Sequence, residues 1–228
     1  MKKEILSDHK FQVLQEIVEK ELSYAAHDID HILRVTKLCM FLAEDEKNVD
    51  LEVLIPAALL HDIARRQEDE DITGEVDHAV LGAEMAERIL QQLDYNPEVI
   101  TRIAHCMKAH RFRSGYLPET IEAKILFDAD KLDVMGAVGI ARSFMLAGKH
   151  GEKIYNEISL EDYLNENVGP NGRIKDVSKH TANIEFELKL KKIPEKLYTA
   201  KAKKIAESRI KYMQTYFQTL EDEIHGKK

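Results

Sequence analysis

Histidines and aspartates recur along this chain in settings that are otherwise apolar and helical. His27 and His31 lie in His-Asp-Ile-Asp-His-Ile-Leu-Arg-Val, and His61-Asp62 closes the run Val53-Leu54-Ile55-Pro56-Ala57-Ala58-Leu59-Leu60. His105 and His110 follow, and Asp128, Asp130 and Asp133 crowd into Ile-Leu-Phe-Asp-Ala-Asp-Lys-Leu-Asp. An imidazole and a carboxylate entering a core together cost several kcal/mol, by order of magnitude, unless something partners them, and a divalent cation partners both. Carboxylates packed as densely as those at 128, 130 and 133 repel one another unless a cation or a basic side chain neutralises them. A helical bundle builds such a site with one or two donors from each helix. Imidazole and carboxylate donors without thiolate suit Mn²⁺, Fe²⁺, Co²⁺, Ni²⁺, Zn²⁺ or Mg²⁺ better than a structural zinc knot.

Each fragment also has a plain structural explanation. His61 could hydrogen-bond within the core while Asp62 pairs with Arg65 or Arg66, and His31 could bond a backbone carbonyl. Lys131 could neutralise one of the three aspartates, and the acidic run Glu68-Asp69-Glu70-Asp71 reads as a solvated loop. Successive helical side chains diverge by about 100°, so His61 and Asp62 can share an ion only if it lies between their directions.

The elements that must position these residues are helices. Apolar residues recur at helical spacing at Phe11, Leu14, Ile17, Val18 and Leu22, at Ile32, Val35, Leu38 and Leu42, and at Val80, Met85, Ile89 and Leu93. Breaks rich in charge, Gly, Pro or Asn fall at 44–50, 66–77, 94–97, 111–118 and 148–172. The expected fold is all-α, a single domain over 1–228, with a core at about 20–145, an irregular segment at 148–178 and C-terminal helices at 179–226. Pro194-Glu195 is expected to open a long amphipathic stretch through Leu197, Ile205, Met213, Phe217, Leu220 and Ile224. That stretch packs on its own domain or forms a homodimer seam.

Composition narrows the class. Of the 228 residues 44% are hydrophobic and 32% charged, with few Gly or Pro, which fits a helix-rich globular protein. A net charge of −8 argues against a large nucleic-acid surface but leaves room for a small anionic substrate. Cys39 and Cys106 are isolated, which disfavours disulfides and thiolate zinc. Neither a membrane-length apolar stretch nor a signal-peptide core is evident, so a cytoplasmic location is expected.

Taken in order, His31 with Arg34-Val35, then His61-Asp62, then Asp130 with Lys131 and Asp133, resemble the H…HD…D pattern of the HD superfamily of metal-dependent phosphohydrolases. His78-Ala79-Val80-Leu81-Gly82-Ala83, Asp128-Ala129-Asp130-Lys131-Leu132-Asp133 and Ala141-Arg142-Ser143-Phe144 are similar to the small stand-alone bacterial YedJ/YpgQ-like branch. The likeness extends over about residues 20–225, through Ile154-Tyr155, Lys189-Leu190, Thr199, Ala206 and Arg209.

The resemblance implies an HD-domain helical bundle with additional C-terminal helices, and one divalent metal ion held by His31, His61, Asp62 and Asp130. A second ion would draw on His78 with His105 or His110. It implies hydrolysis of a phosphate ester or phosphoanhydride bond in a small phosphorylated metabolite, a nucleotide above all, by a nucleotide pyrophosphohydrolase or phosphatase. His78, Lys131 and Asp133 take the family's places around the reaction, with Lys131 facing phosphate and Asp133 orienting. Arg65, His110 and Lys189 are candidates for substrate contact. A cyclic-dinucleotide phosphodiesterase is disfavoured, because the chain reads Arg111-Phe112-Arg113-Ser114-Gly115-Tyr116 where that branch carries HHExxDGxGYP. The alternative is a non-catalytic, nucleotide-binding regulatory HD module.

Overall fold

The computed structural model describes residues 9–22, 29–112, 115–169, 172 and 174–227. The chain is all-α: α1 (His9–Glu21), α2 (Ile29–Leu42), α3 (Leu51–Leu60), α4 (Arg65–Glu70), α5 (His78–Gln92), α6 (Pro97–Ala109), α7 (Ile121–Asp133), α8 (Gly136–His150), α9 (Leu160–Asn167), α10 (Ala182–Leu188) and α11 (Ala200–Ile224). Short 3₁₀ turns occupy Val177–Lys179 and Leu190–Lys196, and no strand longer than the single bridge between Val168 and Ile174 occurs among the described residues. The chain divides into two compact units, Met1–Asp130 and Lys131–Lys228, with the boundary inside α7.

In the first unit α3 is the central element. Its residues from Val53 through Leu60 are buried on every side, as an all-round apolar helix must be. Each fully buried Val, Leu or Ile contributes about 1.5–3 kcal/mol, so this one run anchors the unit. Helices α1, α2 and α6 pack on α3, and α5 packs on α6. Local caps fix the starts. The carboxylate of Asp50 accepts from the Glu52 N–H, Asp77 accepts from the Ala79 N–H, and the Asn96 side-chain oxygen accepts from the Glu98 N–H ahead of Pro97. The buried Glu122 ties the start of α7 to this frame: it accepts from the Asp50 N–H at 2.9 Å, while Arg102 reaches Asp50 at 2.6 Å and Glu122 at 3.4 Å.

In the second unit α11 packs on α8 and on the 190–196 turn, and α10 packs on that turn and on α8. The Phe186 and Phe217 rings lie 4.8 Å apart at their centroids. Helix α8 ends at Gly151, whose φ of 66° is a left-handed conformation open to glycine at little cost.

Three elements differ from the sequence expectation. Residues 66–70 lie in a break by composition yet belong to α4, because Arg65–Glu68 and Arg66–Glu70 ion pairs at i,i+3 and i,i+4 replace an apolar stripe. The irregular segment at 148–178 contains α9, capped by the Ser159 hydroxyl accepting from the Asp162 N–H. The last helix starts not at Pro194 but at Ala200, where the Thr199 hydroxyl caps it and Pro194 is absorbed into the preceding 3₁₀ turn.

Candidate metal centre

The frame of the first unit carries its polar residues to one buried point. His31 lies in the first turn of α2, which buries His31, Ile32, Val35, Thr36, Cys39 and Leu42 along one face. His61 and Asp62 follow the last turn of α3, and Asp130 belongs to α7. The His31 Nε2 lies 3.7 Å from Asp62 Oδ2 and 3.5 Å from Asp130 Oδ1; the His61 Nε2 lies 3.8 and 3.9 Å from the same two oxygens. Donor atoms of His31, His61 and Asp62 all fall within 4.8 Å of one another.

His61 supplies the test of whether these residues fit a cation. Its Nδ1–H donates to the Ala58 carbonyl at 2.8 Å, a bond that leaves the lone pair of Nε2 facing the carboxylates. That Nε2 is buried and has no hydrogen-bond partner among the described residues. Burial lowers the imidazole to a pKa of about 4, so it is neutral at pH 7 and its lone pair is free. An orphaned imidazole nitrogen, a second imidazole and two carboxylates at one buried point fit a borderline or hard divalent ion.

A second group adjoins the first through Asp62. The His78 Nε2 is 3.1 Å and the His110 Nε2 3.6 Å from Asp62 Oδ1, and the two nitrogens are 3.2 Å apart. Asp62, His78 and His110 also have the spacing of a possible cation site. His110 caps α6 and donates from Nδ1 to the Met107 carbonyl at 2.6 Å. His78, the first residue of α5, places Nδ1 2.7 Å from the Glu68 carboxylate. Burial works to lower His78, but its hydrogen bonds to Asp62 and Glu68 prevail and raise it. For Asp62, burial is outweighed by His61 and by the hydrogen bond that His78 donates, which hold the carboxyl well below its usual range.

Arg65 reaches Glu68 at 2.7 Å and Asp69 at 3.5 Å, and Arg66 reaches Glu70, so neither of these pairs occupies Asp62. Glu68, expected in a solvated loop, is half-buried and paired with His78, Arg65 and Arg111; burial is overcome by His78 and the two guanidinium groups, and its pKa falls to about 2. Glu68 and Arg111 are the polar neighbours that the sequence reading missed. The i,i+3 spacing of Arg65 and Glu68 was the available signal. His105 lies apart from the cluster, with its Nε2 accepting from the Glu119 N–H at 3.3 Å.

Lys131 follows Asp130 in α7 and is half-buried. The second unit, which begins at Lys131, also holds Asp133 and Lys189. Asp133 is buried and paired with Arg142 at 2.5 Å, and Lys189 is exposed and paired with Glu185 at 2.9 Å. His27 lies outside the described residues.

A helical frame that gathers imidazoles and carboxylates at a buried point is an arrangement of helical metal-binding proteins. The HD domain family matches residues 28–135. Over 220 residues the chain is 30% identical to the uncharacterized protein YpgQ of Bacillus subtilis, spanning 93% of this chain and 91% of that one. The crystal structure of Bacillus subtilis YpgQ in complex with ADP matches with a TM-score of 0.68 at 28% identity, covering 92% of this chain and 97% of the other. A predicted HD superfamily hydrolase from an uncultured Thermotogales bacterium matches with a TM-score of 0.64 at 28% identity, covering 98% and 99%. The chain belongs to the HD domain family and is similar over nearly its whole length to the stand-alone proteins of that family.

Proposed function

We propose that this protein is a metal-dependent phosphohydrolase that cleaves a phosphate ester or phosphoanhydride bond of a small phosphorylated metabolite, a nucleotide in particular. The observation that carries the proposal is the convergence of His31, His61, Asp62 and Asp130 around the unsatisfied, buried His61 Nε2. These four residues would hold one divalent ion, drawn from Mn²⁺, Fe²⁺, Co²⁺, Ni²⁺, Zn²⁺ and Mg²⁺. When bound, it supplies Lewis acidity toward a phosphoryl oxygen and acidifies a water. The crystallisation of the relative YpgQ with ADP favours a nucleotide over other phosphorylated metabolites.

The remaining chemistry falls to the neighbouring side chains. His78 holds a proton at Nε2, between Asp62 and the His110 Nε2 lone pair, and serves as general acid toward the leaving oxygen. His110 keeps that lone pair turned inward through its bond to the Met107 carbonyl. Arg65, partly exposed beside His78, offsets the charge that develops on phosphate. Lys131 completes the proposal as a phosphate-facing residue next to Asp130. Asp133 and Lys189 receive no step, since ion pairs within the second unit account for both.

A nucleotide panel in Mn²⁺, Co²⁺, Ni²⁺ and Mg²⁺, with products resolved by phosphorus NMR, tests the reading. Turnover that disappears in Asp62→Ala is expected, and the released species distinguishes phosphatase from pyrophosphohydrolase. Nucleotide binding without turnover would point instead to a regulatory module. Two tightly bound ions per chain, one of them lost in His110→Ala, would replace the single-ion site with a pair.

A further inference from the structure

We infer that Glu68 is the positioning residue of His78: it fixes the Nδ1 proton and thereby aims Nε2 at the reacting end of the site. The inference rests on the role proposed above for His78. Glu68 Oε2 lies 2.7 Å from His78 Nδ1, and a carboxylate there can only accept, so the proton is committed to Nδ1. The same oxygen also accepts from Arg65 at 2.7 Å; the Arg65 guanidinium lies 3.0 Å from Nδ1 and could bond it only if that nitrogen gave up its proton, which the closer carboxylate holds in place. The other oxygen accepts from Arg111 at 2.7 Å.

Arg111 closes the arrangement. It also reaches Asp77 at 3.0 Å, and Asp77 caps the helix on which His78 is the first residue. The carboxylate on α4 and the imidazole on α5 are thus registered by one guanidinium from the end of α6. With both of its oxygens held, Glu68 cannot follow a rotating ring. A half-turn of the imidazole would exchange Nε2 for a carbon opposite Asp62 and leave the Glu68 carboxylate without its proton. The present orientation, with Nε2 3.1 Å from Asp62 Oδ1, is therefore selected from the Nδ1 side. Partners of this kind, one shell removed from the reacting groups, typically change activity by about 10- to 100-fold.

Nitrogen-15 NMR of histidine-labelled, zinc-loaded protein tests the inference without relying on turnover. Nδ1 of His78 should resonate as a protonated nitrogen in the wild type and shift toward the unprotonated position in Glu68→Ala, with zinc content and helical content unchanged. If Glu68→Ala fails to fold, Glu68→Gln keeps the side-chain shape and carries the test, with a smaller shift in the same direction expected. An Nδ1 resonance unmoved by either folded variant would overturn the inference. Kinetics on ATP add a second arm: Glu68→Ala should lower kcat by about 10- to 100-fold with KM within about twofold, and should have no further effect in a His78→Ala background. Equal losses in both backgrounds would show that Glu68 does not act through His78. No ATP turnover by the wild type would count against the phosphohydrolase reading, leaving the NMR result to decide the role of Glu68.

Discussion

His61 links the candidate centre to a measurable property of the metal-stripped protein. Its imidazole titrates near 6.5 when unfolded and at about 4 when folded, because it is buried. Between these values the unfolded chain binds the additional proton, so stability is full above about pH 6.5 and is lost as pH falls toward 4. The separation corresponds to about 3 kcal/mol in total, and to about 2 kcal/mol already at pH 5. At a urea m-value of about 2.5 kcal/mol per molar, the second figure is a midpoint shift of roughly 0.8 M. The assay compares urea midpoints of metal-stripped wild type and His61→Asn at about pH 7.5 and pH 5. His61→Asn cannot titrate at this position, so the wild type should lose about 2 kcal/mol more than the variant on acidification. Equal losses in the two proteins would refute the picture of a neutral, buried His61 with an inward lone pair.

Other consequences follow from separate parts of the molecule. Arg142→Ala removes the 2.5 Å partner of the buried Asp133 carboxylate while Arg209 still acts on it, and should destabilise the protein by about 1–3 kcal/mol in urea unfolding. For Glu185, burial is outweighed by His180 and Lys189, so its folded pKa lies below the usual 4.5. Its stabilisation is present above that value and lost as pH falls through the lower folded one; Glu185→Gln should therefore flatten the acid limb of the stability profile. Cys39 and Cys106 are free and buried, and burial pushes Cys106 up to about 12 and Cys39 well above its ordinary value. Iodoacetamide should leave both unmodified in native protein and label both after unfolding, as followed by mass spectrometry.

Legibility in the sequence tracked the physical origin of each element. Helices built on an apolar stripe, such as α2 and α5, were readable from spacing alone, whereas the all-apolar α3 showed only as a continuous apolar run. Helix α4 was not, because ion pairs between Arg65, Arg66, Glu68 and Glu70 stabilise it and leave no hydrophobic period. The start of α11 depended on a single Thr199 cap that competes with the more conspicuous Pro194. Within the site, the order of His31, His61-Asp62 and Asp130 carried the resemblance, and all four residues meet at one buried point. Choosing His110 over His105 required the turn that ends α6, where a ring held by the Met107 carbonyl reaches His78. Glu68 was hidden among four consecutive acidic residues, and only its contacts with His78 and Arg111 set it apart.

The most direct test of the account measures divalent metal content and nucleotide hydrolysis together in wild type, Asp62→Ala and Asp130→Ala, with circular dichroism confirming that the helices persist. One ion per chain with turnover in the wild type, and loss of both in each variant, is the predicted result. Metal and hydrolysis retained in both variants would contradict the assignment of this cluster as the catalytic centre.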